Sequence, residues 1–353
     1  MKVKQSNAHY IYIRTMKNKL TLYILAILII PALQSCFIDD DKNITNDIEG
    51  NFEQLWTIVD EHYCFFEYKK IDWDSIHTVY YNQLDSIKST VDFFDLCADM
   101  LSELKDGHVN LYGPFDTSHN WSWKEDYPEN YDERIVHEHY LNFDYRSSGG
   151  MVYKVLPQNI GYIYYGSFSS TFSESLLDYI LTFFEQCDGI IIDIRNNGGG
   201  LAGNVDKLAC RFTDNEILTG YSMYKNGPGH NDFSQPRELY LTQSYRMKYT
   251  RPVVVLTNRG SFSAANDFVR VMSTLPNVTT IGDTTGGGSG IPVNYYLSCG
   301  LIVRLSSNPI LNIDGEHTEF GIEPDIKVDM DANAQLTGRD AILDRAIQHL
   351  TKQ

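Results

Sequence analysis

The chain has 353 residues, with 29 Lys and Arg against 46 Asp and Glu and a formal net charge of −17 at pH 7. That excess of carboxylates argues against nucleic acid or an anionic lipid surface as ligand, because both are gripped by clustered Lys and Arg. Six cysteines without a CxxC pair imply neither a disulfide framework nor a zinc site, so no metal and no cofactor is expected.

In chain order, residues 1–35 carry Lys2, Lys4, Arg14, Lys17 and Lys19 and no acidic residue. A basic stretch, an apolar run from Leu20 to Leu33 and then Gln34-Ser35-Cys36 read as a secretory leader. The apolar run, about 14 residues, is shorter than the roughly 20 needed to span a bilayer. Leu33-Gln34-Ser35-Cys36 resembles a bacterial lipobox, which makes Cys36 the expected lipid anchor and a membrane an expected partner. Residues 36–46, with Asp39-Asp40-Asp41, read as an acidic tether. Such a run resembles a surface-export signal of some Gram-negative lineages, so an outer-membrane lipoprotein facing the surface or the periplasm is expected. Loss of the leader would take the charge from −17 to −22, which favours solubility while tethered.

Residues 47–107 predict a small helical cap of three helices. In its last piece Phe93, Leu96, Cys97, Met100, Leu101 and Leu104 recur at three- and four-residue spacing and form one apolar face. Asp106-Gly107 marks a turn, and His108-Val-Asn-Leu-Tyr112 alternates like a strand. Residues 113–150 contain Trp121, Trp123, Tyr127 and Tyr131 without clear periodicity and read as an irregular connection or a substrate-facing surface.

From Met151 the pattern alternates between strands and helices. Strands are predicted at 160–168, 189–194 and 252–257, and helices at 174–186, 204–213, 264–275 and 338–350. A hairpin is expected around Cys299-Gly300. The continuous apolar strands Gly189–Ile194 and Pro252–Thr257 suit a sheet buried on both faces. The fold class expected for 108–353 is therefore α/β with a mainly parallel sheet.

Two segments carry chemistry. In Leu256-Thr-Asn-Arg-Gly-Ser-Phe-Ser-Ala-Ala265 an apolar strand ends, a glycine turns the chain and a helix begins. A serine at that junction either caps the helix or projects as a nucleophile beside amide N–H groups suited to an oxyanion. After Asp193-Ile-Arg-Asn-Asn197 come Gly198-Gly199-Gly200. Three glycines at a strand end suggest close backbone approach, and the absence of a following Lys excludes a phosphate loop.

Asp193-Ile-Arg-Asn-Asn-Gly-Gly-Gly200, Ser261-Phe-Ser-Ala-Ala265, Gly282-Asp-Thr-Thr-Gly286 and Leu104-Lys-Asp-Gly-His-Val109 together resemble the tail-specific (C-terminal processing) protease and tricorn-core peptidase family, over residues 50–350. The resemblance implies a crotonase-like, ClpP-like α/β spiral core, a peptide or protein substrate, and Ser263 as nucleophile. It further implies an oxyanion hole from the backbone of Gly199 (or Gly198) and Ala264. Processing proteases of the family use a downstream lysine as base, but no lysine lies between Ser263 and Lys327. The tricorn-like branch uses an earlier histidine, and His108 stands at that position, with an ordinary pKa near 6.5 suited to the task. Its orienting carboxylate is expected to be Glu319, or else Glu323, with Asp106 as a fallback. Fewer than 50 residues separate Tyr112 from Ile160, too few for the PDZ domain of the processing branch. The activity so implied is serine peptide hydrolysis; an inactive peptide- or apolar-ligand-binding lipoprotein and an esterase are the alternatives.

Overall fold

The computed structural model describes residues 45–352. The leader, the lipobox and Cys36 lie outside the described residues. Helix α1 (Ile48–His62) starts where Asp47 accepts the Gly50 N–H at 2.8 Å, which satisfies one of the orphan amides of a first turn. A single turn, α2 (Phe66–Lys69), precedes α3 (Trp73–Tyr81) and α4 (Thr90–Ser102), which are capped by Asp72 and Ser89. The described residues of 47–107 thus hold four α-helices and a 3₁₀ turn (Leu84–Ser86) where the spacing predicts three helices. Four residues are too few to carry a helical period.

After the Asp106-Gly107 turn comes β1 (Asn110–Tyr112). The stretch 113–150 is less irregular than its composition suggests. It contains α5 (Glu133–Ile135), which runs into a π-helical turn (Val136–Tyr140), and the edge strand β2 (Arg146–Ser148). The chain continues through β3 (Met151–Leu156), β4 (Ile160–Tyr165), α6 (Glu174–Phe183), β5 (Gly189–Asp193), α7 (Ala202–Ala209), β6 (Ile217–Ser222), β7 (Arg237–Leu241) and β8 (Val253–Thr257). It ends with α8 (Ala264–Met272), β9 (Val278–Gly282), β10 (Gly290–Tyr296), β11 (Ile302–Leu311), β12 (Ile326–Lys327), α9 (Ala332–Leu336) and α10 (Ala341–Thr351).

Seven strands form one sheet in the order β12-β9-β8-β5-β4-β3-β2. Neighbours from β12 to β4 are parallel, and β3 and β2 add antiparallel at one end. Every residue of β5 and β8 is buried, as continuous apolar strands require. Alternate side chains serve opposite faces. Ile190, Ile192, Val253 and Val255 pack with α6, α7 and α8, whereas Ile191, Val254 and Leu256 pack with α10.

The second sheet, β1-β11-β6-β7 with β10 also paired to β11, is antiparallel. Its β10–β11 hairpin turns at Cys299-Gly300, as the alternation predicts. The helices of the cap region share one apolar core with this sheet: Phe52, Leu55, Val59 and Met100 pack with Leu111, Val303 and Leu305. The mixed α/β class therefore agrees with the sequence pattern, with a second sheet added.

Candidate active site

The first parallel strands deliver their C-terminal ends to one place. After β5, Arg195 is fully buried and forms a fork with Asp193 (Nε–Oδ1 2.9 Å, Nη2–Oδ2 2.6 Å) while Nη1 reaches Asp340 Oδ2 at 2.8 Å. Asp340 in turn caps α10 through the Ile342 and Leu343 amides. This knot is structural, and it fixes the course of the glycine loop. Asn197 continues the bracing: its Nδ2 donates to the Tyr165 carbonyl at 2.7 Å, and its Oδ1 accepts the Gly199 N–H at 2.9 Å.

After β8 the chain turns sharply into α8. Ser261 Oγ donates to the Ile194 carbonyl at 2.8 Å and accepts from the Asn258 amide at 3.2 Å, so this serine ties the turn to the end of β5. Ser263 sits at φ +58°, ψ −119° and makes no side-chain cap to the helix. A positive φ is costly for a residue with a Cβ and is retained where the surroundings enforce it. Here the Ser263 N–H donates to the Gly287 carbonyl at 2.8 Å, and its carbonyl already accepts from Asp267 inside the helix. The capping alternative for Ser263 is thereby removed. Its hydroxyl instead lies 2.8 Å from His108 Nε2.

His108 is held from its backbone, with its N–H donating to Asp106 Oδ1 at 2.8 Å. Burial disfavours the imidazolium and lowers the ring's pKa to about 4, against the upward pull of Asp106; Arg304 and Lys69 add to the lowering. The ring is therefore neutral at pH 7, well below the ordinary value assumed from residue type. The orienting carboxylate differs from expectation. His108 Nδ1 has no side-chain hydrogen-bond partner among the described residues, and the protonated ring is favoured by the charge of Asp106 and by the Gly290 backbone. Glu319 is buried nearby, but its oxygens are committed to Lys69 Nζ (2.9 Å) and the Ser289 N–H (3.0 Å). Glu323 is exposed on the surface. Asp106 accepts from the His108 backbone and from Tyr63 Oη at 3.0 Å, not from the ring. The lysine from α2 outcompetes the imidazole for Glu319, because a full cation attracts a carboxylate more strongly than a neutral N–H does.

The oxyanion side is also modified. Ala264 opens α8, so its N–H lacks an intrahelical acceptor. The Gly199 amide, by contrast, is occupied by Asn197, so of the expected pair only Ala264 is free in this geometry. Gly199 matters sterically: at φ +93° its Cα faces the nucleophile, and a Cβ there would lie 2.8 Å from Ser263 Cβ and 2.9 Å from Ala264 N. We expect Gly199→Ala to slow acylation of Ser263 about 10²-fold by displacing the elbow while the fold persists. Labelling kinetics beside a thermal melt measure both, and an unchanged labelling rate contradicts the close approach.

Two contributors escape sequence reading. Lys69 looks like its exposed neighbour Lys70 in sequence, yet its side chain is 5% exposed and reaches the site. Trp123, one of several aromatics in 113–150, stacks on Phe262 with ring centroids 4.2 Å apart and rests against Gly107 and Gly286. Arg259 Nε donates to its carbonyl and holds it there. That stretch therefore includes a wall of the site.

A hydroxyl on a strand–turn–helix elbow, paired with a neutral imidazole beside a helix N-terminus, is the arrangement used by serine hydrolases. Residues 159–328 match the model of Peptidase family S41, and residues 44–102 match that of the Tricorn protease C1 domain. The chain is 48% identical to a candidate peptidase from Parabacteroides merdae ATCC 43184, with a TM-score of 0.83 over 87% of this chain and 97% of that one. It is 33% identical to the carboxy-terminal processing protease CtpA of Bacillus subtilis (strain 168) over 52% of this chain; the match spans 38% of that relative's length. Mature CPAF shares the fold at 13% identity, with a TM-score of 0.67 over 88% of this chain and 97% of that one. The chain belongs to peptidase family S41, a family of serine-type peptidases.

Proposed function

We propose that this chain is a lipid-anchored serine peptidase of the cell envelope that cleaves peptide bonds through an acyl-enzyme on Ser263. The observation that carries the reading is the 2.8 Å contact between Ser263 Oγ and the Nε2 of a buried, neutral His108. Ser263 Oγ attacks the scissile carbonyl while His108 Nε2 takes its proton and then returns it to the leaving amine. The Ala264 N–H, at the positive end of α8, meets the developing oxyanion together with an amide of the 198–200 loop. Glu319 supports the imidazolium at a distance, through the Ser289-Gly290 backbone, and Trp123 with Phe262 walls the site for substrate. We read the α/β core, 108–353, as a crotonase-like spiral with 47–107 as its helical cap. Export and anchoring through Cys36, on either face of an outer membrane, rest on the leader and lipobox pattern.

A fluorophosphonate probe tests the chemistry: mass spectrometry should find the adduct on Ser263, and Ser263→Ala should abolish it. Comparison of peptide and ester turnover then separates a peptidase from an esterase, and peptide binding without labelling would favour a non-catalytic module. The pH profile adds a second check. His108, at about 4, stays neutral above pH 5, whereas burial beside Asp106 raises Glu319 to about 7 against the pull of Lys69. Because Glu319 must be ionised to favour imidazolium, acylation should rise as pH increases through about 7. A rate flat between pH 5 and 8 removes Glu319 from the mechanism.

A further inference from the structure

Lys69 reaches the site from the helical segment before His108, and its environment is specific. The Nζ group lies 2.9 Å from Glu319 Oε1 and 3.6 Å from Asp106 Oδ2, and it donates to the Leu104 and Lys105 carbonyls at 3.3 Å each. It therefore joins three segments: α2, the turn that precedes His108, and the turn that carries Glu319. Each carboxylate it holds passes the constraint on. Asp106 fixes the His108 amide, and Glu319 fixes the Ser289 amide next to Gly290, whose backbone faces the imidazole.

The charge count points the same way. Asp106 and Glu319 have buried side chains, 0% and 4% exposed. Two bare carboxylates in one dry site do not both stay ionised. Once Glu319 ionises, at about 7, the two carboxylates and Lys69 together carry a single net negative charge, the amount that balances an imidazolium formed at His108 during acylation. The other titratable groups facing this cluster are Tyr63, Cys64 and Tyr68 from the α1–α2 segment, Arg304 from β11 and Arg259 from the elbow; the tyrosines and the thiol are neutral at pH 7.

We propose that Lys69 is a positioning residue for the Ser263–His108 pair, holding Asp106 and Glu319 ionised and in place so that the helical segment completes the active site. The proposal rests on the Ser–His reading given above. It makes Lys69 a fixed counter-ion rather than a base, because its three N–H groups are taken by Glu319 and the Leu104 and Lys105 carbonyls, with Asp106 as a further ion-pair partner.

The test uses the full chain and the rate of fluorophosphonate labelling at Ser263 from pH 5 to 9. In Lys69→Met the carboxylates lose their cation, Glu319 ionises later, and the acid limb moves up by at least about one unit, roughly a tenfold loss at a fixed pH on that limb. Lys69→Arg, which keeps the charge, should keep the wild-type limb. In a Glu319→Gln background the Lys69→Met change should move the limb no further, since the titrating carboxyl is gone. Glu319→Gln alone gives a check that does not depend on the methionine chain folding, because it should delete the step near 7. A merely structural lysine predicts a uniformly lower rate with an unmoved limb, and that result overturns the proposal. Absence of labelling in the wild type at every pH overturns the Ser–His reading itself, whereas labelling with an unmoved limb overturns only the role of Lys69.

Discussion

Replacing His108 by alanine should lower acylation of Ser263 by about 10⁶-fold, as large as the loss of the serine itself, because on the proposed mechanism members of such a unit fail together. Among the described residues the geometry leaves no substitute base. Nε2 is the group at 2.8 Å from the hydroxyl, and the nearby ammonium of Lys69 is taken by Glu319, Asp106 and two carbonyls. No other lysine follows the serine before Lys327. Burial keeps the imidazole neutral and ready to accept a proton, so its removal deletes a formed base rather than a potential one. Pseudo-first-order labelling and turnover of an unstructured peptide measure the effect. A loss smaller than about tenfold would mean that the hydroxyl is activated by another route.

Arg195→Met produces the largest expected loss of stability. The substitution leaves Asp193 and Asp340 buried without their cation, a break that costs about 3–5 kcal/mol. The guanidinium also lies 4.9 Å from the Tyr131 ring and donates to the Asn130 carbonyl, so the 130s segment loosens as well. For a chain of this size that destabilisation lowers the melting temperature by roughly 10 °C, readable by calorimetry or circular dichroism. Adding Asp193→Asn and Asp340→Asn should recover part of the loss, because the uncompensated charges are then gone. A melt unchanged by Arg195→Met would mean that the knot is solvated and carries little energy.

The local pattern carried much of this. The uninterrupted apolar runs of β5 and β8 announced a sheet covered on both faces, and the three- and four-residue spacing of Phe93 to Leu104 marked the buried face of α4. The strand–glycine–serine–alanine order singled out the elbow, although only the positive φ of Ser263 and its missing cap separate a nucleophile from a capping serine. Strands β6 and β7 went unread, since β7 is largely exposed and β6 only partly buried, leaving no clear apolar alternation. The reason for glycines 286–288 was not legible in the sequence. The loop passes so close to Glu319 and Phe262 that added Cβ atoms at Gly287 and Gly288 would collide with them.

The sequence by itself therefore determined the α/β class, because that depends on periodicity, while its resemblance to a known peptidase family pointed to Ser263 and to a base other than a downstream lysine. Tertiary structure alone decided how the base is supported. Lys69, Asp106, His108, Ser263 and Glu319 meet only after 250 residues of chain have folded around them. Which carboxylate faces which cation there depends on distances of a few ångströms in a dry site, where Coulomb interactions are strong and no sequence spacing encodes them.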